Sequence, residues 1–306
     1  MHFAFNKETL RHLLLLPLMV GAGVLLFTSC EPEEEDIHFA HKKQVPYENR
    51  MEVPALRKGA NDVFITHSTL EGKDSVMCYC MEYDKSVNHS RWVAFRFDSK
   101  TRGLGSGRAD TWADDPALPS KYQIGTGTFR GGVRGHICAS YDRQYSRQAN
   151  EQTFYMTNMS PMSYDFNGSF WTAFENYVQT KGRSAYFADT LYVVKGGTID
   201  KSKILGYATT SNGLRMAIPE YYYMALLKVK NNTYEALAFW MEHDDHGYHD
   251  GRSASQSIIP EYCVNIDELE RLTGIDFFPN LPDNIEQKVE STVITPEYLS
   301  TEWGLN

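Results

Sequence analysis

The sequence predicts the α+β class with an antiparallel sheet at its core, and three observations carry that prediction. Residues 91–98 alternate Val93, Phe95 and Phe97 against Trp92, Ala94 and Arg96, the period of a strand with two distinct faces. Lys230-Asn231-Asn232 separates two aromatic and β-branched runs, as a tight turn between antiparallel strands would. Helical spacing is confined to two segments. In chain order, 77–83 and 91–98 read as a hairpin, 153–157 as a strand, and 169 to about 180 as a helix carrying Trp171, Phe174 and Val178 on one face. Strands follow at 190–194, Ile204–Thr209, 221–229 and 235–241, and then a helix over Ile266–Thr273 that Gly274 ends in the usual C-terminal role. The apolar alternation requires a sheet covered on at least one face, with the longer helix packed near it.

The 306 residues are 42% hydrophobic and 23% charged, which excludes disordered and fibrous classes. From about Tyr47 no linker, low-complexity tract or repeat marks a boundary, so 47–306 is expected to be one domain. Ahead of it, Lys7 and Arg11 precede an apolar run over 13–27 and then Thr28-Ser29-Cys30, the layout of a secretion signal spanning 1–29. The small-small-Cys ending resembles the lipobox of bacterial lipoproteins, which implies acylation of Cys30 and a membrane anchor; an uncleaved anchor is the alternative. Residues 30–46 then form a tether opening Glu31-Pro32-Glu33-Glu34-Glu35-Asp36, either an export tag resembling those of outer-surface lipoproteins or a solvated linker.

Losing the signal would take the formal charge from −9 to −10, because it holds Lys7 and Arg11 against Glu8. Such a chain is a poor general nucleic-acid binder, so any such function needs a local basic patch or turnover without tight binding. With Cys30 set aside, Cys78, Cys80, Cys138 and Cys263 permit disulfides in an oxidising compartment. Cys78 and Cys80 would point the same way from a strand and are poor partners for each other.

The chemically informative stretch is 129–183. It holds Arg130-Gly131-Gly132-Val133-Arg134-Gly135-His136, then Asn158-Met159-Ser160-Pro161, then Asn167 and Trp171 through Glu175, in the order strand, loop, strand, helix. Glu175 falls inside an apolar helical stripe, where an ionised carboxylate needs a hydrogen bond, a cation or a metal nearby. Taken alone, Asn167 reads equally as a helix N-cap, Glu175 as an ion-pair partner and His136 as a structural histidine.

In combination, these pieces resemble the DNA/RNA non-specific endonuclease family of the ββα-metal superfamily, whose pattern is Asp-Arg-Gly-His, then Asn-Met-Xaa-Pro, then Asn-Xaa-Gly-Xaa-Trp-Xaa-Xaa-Leu-Glu. The likeness extends loosely through Arg91 to Phe95 upstream and Thr273 to Pro279 downstream. It implies a ββα-metal active-site motif and hydrolysis of phosphodiester bonds in DNA or RNA. His136 would be the general base, Asn167 the direct ligand of one divalent cation, Mg²⁺ or another such as Mn²⁺, and Glu175 an orienter of metal-bound water. Arg134 would hold the phosphate and Asn158 would brace the site. Contacts to phosphate and metal rather than base edges imply little sequence preference.

Two departures stand out. Val133 occupies the place of the family Asp, and Gln179, one turn after Glu175, stands where many relatives carry Arg; Lys181 or Arg183 are the substitutes in sequence. The alternative function is therefore a catalytically weakened surface lipoprotein that keeps the fold and binds nucleic acid or another partner. Arg130, Arg134, Arg143 and Arg147 against Asp142 supply the local positive surplus that both readings need. The run from His243 to Asp250 is either a second metal site or a polar surface turn. No phosphate-binding glycine loop and no Gly-Xaa-Ser-Xaa-Gly elbow occurs.

Overall fold

The computed structural model describes residues 45–249 and 254–306. The signal over 1–29, Cys30, nearly all of the tether and Asp250 lie outside the described residues. The strands are β1 (Asp62–Glu71), β2 (Asp74–Asp84), β3 (His89–Phe97), β4 (Val133–His136), β5 (Met159–Met162), β6 (Thr190–Gly197), β7 (Ile204–Thr209), β8 (Arg215–Pro219), β9 (Tyr221–Lys230), β10 (Thr233–Glu242) and β11 (Cys263–Val264). The helices that matter for the argument are α1 (Arg147–Gln152), α2 (Thr172–Arg183), α3 (Ile266–Thr273) and α4 (Asp283–Glu290).

Seven strands form one antiparallel sheet in the order β1-β2-β3-β6-β9-β10-β11, and the α+β expectation holds. The alternation read in β3 sorts its side chains as expected. Val93, Phe95 and Phe97 join Phe174 and Val178 of α2 on one face, while Trp92 and Ala94 join Ile266 and Leu269 of α3 and Val289 of α4 on the other. Both faces are therefore covered, and each large apolar side chain sealed there contributes roughly 1.5–3 kcal/mol. At the β9–β10 turn, Asn231 and Asn232 take φ of 50° and 61°, left-handed conformations that asparagine tolerates and this hairpin turn requires. Helix α3 opens with the Asn265 side chain accepting from Glu268 N at 2.9 Å and closes at Gly274 with φ 69°.

Three local expectations are corrected. Residues 153–157 are not a strand: the Thr153 hydroxyl donates to Asn150 O at 2.7 Å, folding the segment into turns, and the second strand of the motif begins only at Met159. Cys78 and Cys80 do not share a face. The β1–β2 register slips between His67 and Ser68, leaving Cys78 as an extra residue, so Cys78 packs on the α2 side and Cys80 on the α3 side. The four cysteines among the described residues are free thiols. Finally, Asn167 is no N-cap, because the chain is already in a π-helical turn over Phe166–Trp171 before α2 begins. Among the described residues no helix is long and apolar enough to cross a membrane.

Candidate active site

Strands β4 and β5 pair antiparallel, His136 opposite Met159 and Gly135 opposite Ser160, and the π-helical turn and α2 follow. Ser160 explains why this small unit sits firmly on the main sheet. Its hydroxyl lies 2.6 Å from His89 Nε2 and 2.6 Å from the Tyr222 hydroxyl. With His89 Nδ1 2.7 Å from Ser90 O, the consistent assignment is Nδ1–H donating to that carbonyl and Nε2 accepting from Ser160. Asn158 acts at the other end. It is fully buried, its Oδ1 accepts from Cys138 N at 2.9 Å, and its Nδ2 donates to Cys138 O at 2.9 Å and Thr153 O at 2.8 Å. It thus ties down the chain leaving β4, as a brace rather than a cleft-lining group.

The unit borders a cleft of about 960 Å³, and Arg134, His136, Asn167, Glu175 and Gln179 all line it. The ring of His136 is held between Trp112 at 5.4 Å and Phe154 at 5.0 Å between centroids, and its Nε2 is buried with no hydrogen-bond partner. Burial first, then the charges of Arg108, Arg134 and Lys195, push this imidazole down to about 3. It is therefore neutral at ordinary working pH and, buried in this way, a weaker base than a free imidazole.

Arg134 is partly buried: its guanidinium lies 3.6 Å from the centre of the Trp112 ring and donates to Thr126 O. Arg108, which the motif comparison overlooked, also lines the cleft; its guanidinium lies over the Phe154 ring and pairs with Asp110 at 2.8 Å. Its position in a loop well upstream of His136 gave no periodicity by which to find it. Of the expected basic patch, Arg143 is instead fully buried and donates to Cys78 O and Arg96 O, Arg147 pairs with Glu151, and Arg130 is exposed away from the cleft-lining set.

Asn167 is anchored by its backbone, which donates to Ser163 O at 3.0 Å and accepts from the Thr172 hydroxyl at 2.8 Å. Its side-chain amide forms no hydrogen bond among the described residues. A Cβ built on Gly135 would stand 3.0 Å from Asn167 Oδ1, so that oxygen lies against the strand that carries His136. A carbonyl oxygen left without a donor, in one cleft with the Glu175 carboxylate, is the donor set a hard divalent cation accepts, and the residues fit such an ion.

Glu175 has the partners that its place in an apolar stripe demands. Trp171 Nε1 donates to its Oε1 at 3.0 Å, and Lys195 Nζ stands 3.7 Å away. Burial pushes its carboxyl upward, against the pull of Lys195. Lys195 is fully buried and donates to Asp142 Oδ2 at 2.7 Å, while Gln179 Nε2 donates to Asp142 Oδ1 at 2.9 Å. Neither substitute for the family arginine reaches the cleft: Lys181 lies over Tyr177 and Phe187, and Arg183 binds the carbonyls of Arg102, Gly103 and Tyr141. In the His243 run, His243 accepts from Ser163 N and His246 stacks on Phe170 at 3.6 Å, while Asp244, Asp245 and His249 are exposed.

Comparison with known proteins bears on the family and the fold. The chain is 31% identical over 225 residues to a nuclease of Nostoc sp., covering 70% of this chain and 76% of that one. It is 29% identical over 216 residues to the mitochondrial nuclease EXOG of Danio rerio (66% of this chain, 60% of that one) and 23% identical to human mitochondrial endonuclease G (66% and 68%). Among solved structures, the crystal structure of the EndoG/EndoGI complex aligns with a TM-score of 0.53 at 17% identity, covering 72% of this chain and 88% of that one, which supports the fold. The profile of the DNA/RNA non-specific endonucleases, a divalent-metal-dependent family, matches residues 59–284, and the chain belongs to that family.

Proposed function

We propose that the chain is an endonuclease that hydrolyses phosphodiester bonds of DNA, RNA or both, with little sequence preference and with Mg²⁺ as the working ion. The observation that carries this reading is the convergence of His136, Asn167, Glu175, Arg134 and Arg108 on one cleft. Arg134 and Arg108 hold the phosphate flanking the scissile bond, leaving base edges unread. His136 takes a proton from water as the water oxygen bonds to phosphorus and the bond to the leaving sugar oxygen breaks. Asn167 Oδ1 would hold the cation, and the Glu175 carboxylate would orient water beside it. When bound, such an ion supplies Lewis-acid stabilisation of the negative charge that grows on the phosphoryl and leaving oxygens. Asn158 and Ser160 keep the two strands in place without touching substrate.

The test is digestion of supercoiled plasmid and of RNA by the full chain, with and without chelator, beside the His136→Ala variant. Chelator-sensitive cleavage that falls about 10²- to 10⁴-fold in that variant supports the reading. Binding without chelator-sensitive cleavage would favour the weakened, binding-only lipoprotein. The same proposal places the protein outside the inner membrane, held to the outer membrane or cell surface through acylated Cys30, on the strength of the apolar run ending in Ser29-Cys30. Membrane partitioning unchanged by Cys30→Ser would refute the anchor.

A further inference from the structure

Helices α3 and α4 lie on the face of the main sheet opposite α2, and there three carboxylates converge. The ligand oxygens of Asp267, Glu270 and Glu290 all lie within 4.8 Å of one another. Two oxygens bound to one Ca²⁺ at 2.3–2.6 Å can stand no more than about 5 Å apart, so a single ion can reach all three. Glu270 is already fixed, its Oε1 accepting from Phe277 N at 2.7 Å.

Glu290 is the independent observation. It is only 8% exposed, and its Oε1 is buried without any hydrogen-bond partner. None of the three carboxylates forms an ion pair with a lysine, arginine or histidine among the described residues. Glu290 is also the last residue of α4, the end of a helix where the backbone dipole disfavours negative charge. Burial, followed by the carboxylates of Glu270, Glu286, Asp267 and Asp276, pushes its carboxyl up to about 8. A sealed acceptor facing other acceptors is satisfied either by a proton shared among the carboxylates or by a cation that bridges them.

We propose that Asp267, Glu270 and Glu290 form a calcium site that clamps α3 to α4, remote from the cleft and without part in hydrolysis. Flexible all-oxygen ligation with water completing the shell suits Ca²⁺ better than Mg²⁺, which demands near-octahedral geometry. The clamp would fasten α3 and α4 over the apolar side chains on this face of the main sheet.

The test uses the full chain carrying Asn167→Ala, so that the cleft ligand is gone, and follows Ca²⁺ by equilibrium dialysis and by thermal melting. Binding of one Ca²⁺ per chain with a Kd of about 10⁻⁴ to 10⁻³ M is expected. In 10 mM Ca²⁺, Tm should rise by roughly 3–8 °C, and by less in equal Mg²⁺. Adding Glu290→Gln should weaken binding at least tenfold and abolish the shift. Asp267→Asn, at an exposed position that leaves folding intact, should weaken it too. Absence of Ca²⁺ binding in the Asn167→Ala chain, or binding unaltered by both carboxylate variants, would overturn the site. So would a Glu290→Gln chain that is more stable than its parent while the parent ignores Ca²⁺, since the cluster would then be held by protons alone.

Discussion

Gly135, in the middle of the Arg134-Gly135-His136 motif, provides a sharp test of how the cleft is built. A Cβ at this position would run into Met162 Sδ and would lie 2.7 Å from Met162 Cγ and 3.0 Å from Asn167 Oδ1. Met162 is fully buried, so its thioether cannot swing into solvent and must displace its neighbours instead. Forcing a methyl into a packed site of this kind costs about 1–3 kcal/mol. The more telling effect is on Asn167, because a displacement on the order of 1 Å in a positioning group can lower a rate about 10²-fold. Gly135→Ala is therefore expected to melt a few degrees lower and to cut plasmid 10- to 100-fold more slowly, roughly 1.4–2.7 kcal/mol of barrier. Raising the Mg²⁺ concentration should recover part of the loss. The double variant Gly135→Ala/Met162→Ala, which opens room beside the new methyl, should regain rate relative to Gly135→Ala even if its stability drops further. Full activity with an unchanged Tm in the single variant would refute the close packing of Asn167 on the strand.

Asn167→Ala should weaken the concentration dependence on divalent metal directly, whereas Glu175→Gln should retain most metal affinity and lose rate; equal, complete loss of metal binding in both, measured by titration, would make Glu175 a ligand. A second expectation concerns acid. His89 is fully buried and burial pushes it down to about 4, so its folded form resists protonation while the unfolded chain takes a proton near pH 6.5. The contribution is complete above pH 6.5 and is lost as pH falls toward 4, up to roughly 3 kcal/mol. Denaturant midpoints should drop across that window, and a His89→Gln variant should show a shallower drop; identical slopes would remove His89 from the account. In the same direction, depression of His136 should carry the acid limb of kcat/KM well below pH 6.5 in metal-saturated assays.

How much of this was legible in sequence depended on whether the local pattern and the tertiary context agreed. Strand β7 and helix α3 match their expected bounds, since turn and cap residues mark their ends and nothing long-range competes. Strand β1 was missed because Thr66, His67, Ser68 and Thr69 interrupt any apolar alternation; His67 is buried through Asp115, 48 residues away, a partner no local window contains. Residues 153–157 carry strand composition, yet Phe154 serves as a wall for His136 and the Thr153 side chain closes a turn. The bulge that separates Cys78 from Cys80 leaves no mark in sequence, being a property of the pairing. At the site, the ordered motifs pointed to His136, Asn167 and Glu175, which line one cleft. The groups that hold His136 and Glu175, namely Trp112, Phe154 and Lys195, come from outside the motif and are joined to it only by folding.

That division bears on the two departures from the family pattern. Gln179 replaces a cation one turn after Glu175, yet Glu175 does not lack one, because Lys195 reaches it from β6 at 3.7 Å. A buried lysine needs a counter-charge, and removing one partner of such a pair costs about 3–5 kcal/mol, so Asp142 and Lys195 stand or fall together. Gln179 fits this arrangement: its amide donates to Asp142 Oδ1 and leaves Oδ2 to Lys195, whereas an arginine there would compete for the same carboxylate. Val133 leads to a similar account. A carboxylate at that position would steady the Arg134 or His136 segment, but here Arg134 is steadied by the Thr126 carbonyl and the face of Trp112, and His136 by Trp112 and Phe154. The loop that carries Trp112 thus takes over a task which the motif assigns to a single residue. Charge on the Glu175 side is supplied by Lys195 of the main sheet, so at both departures the contacts around the cleft come from outside the motif.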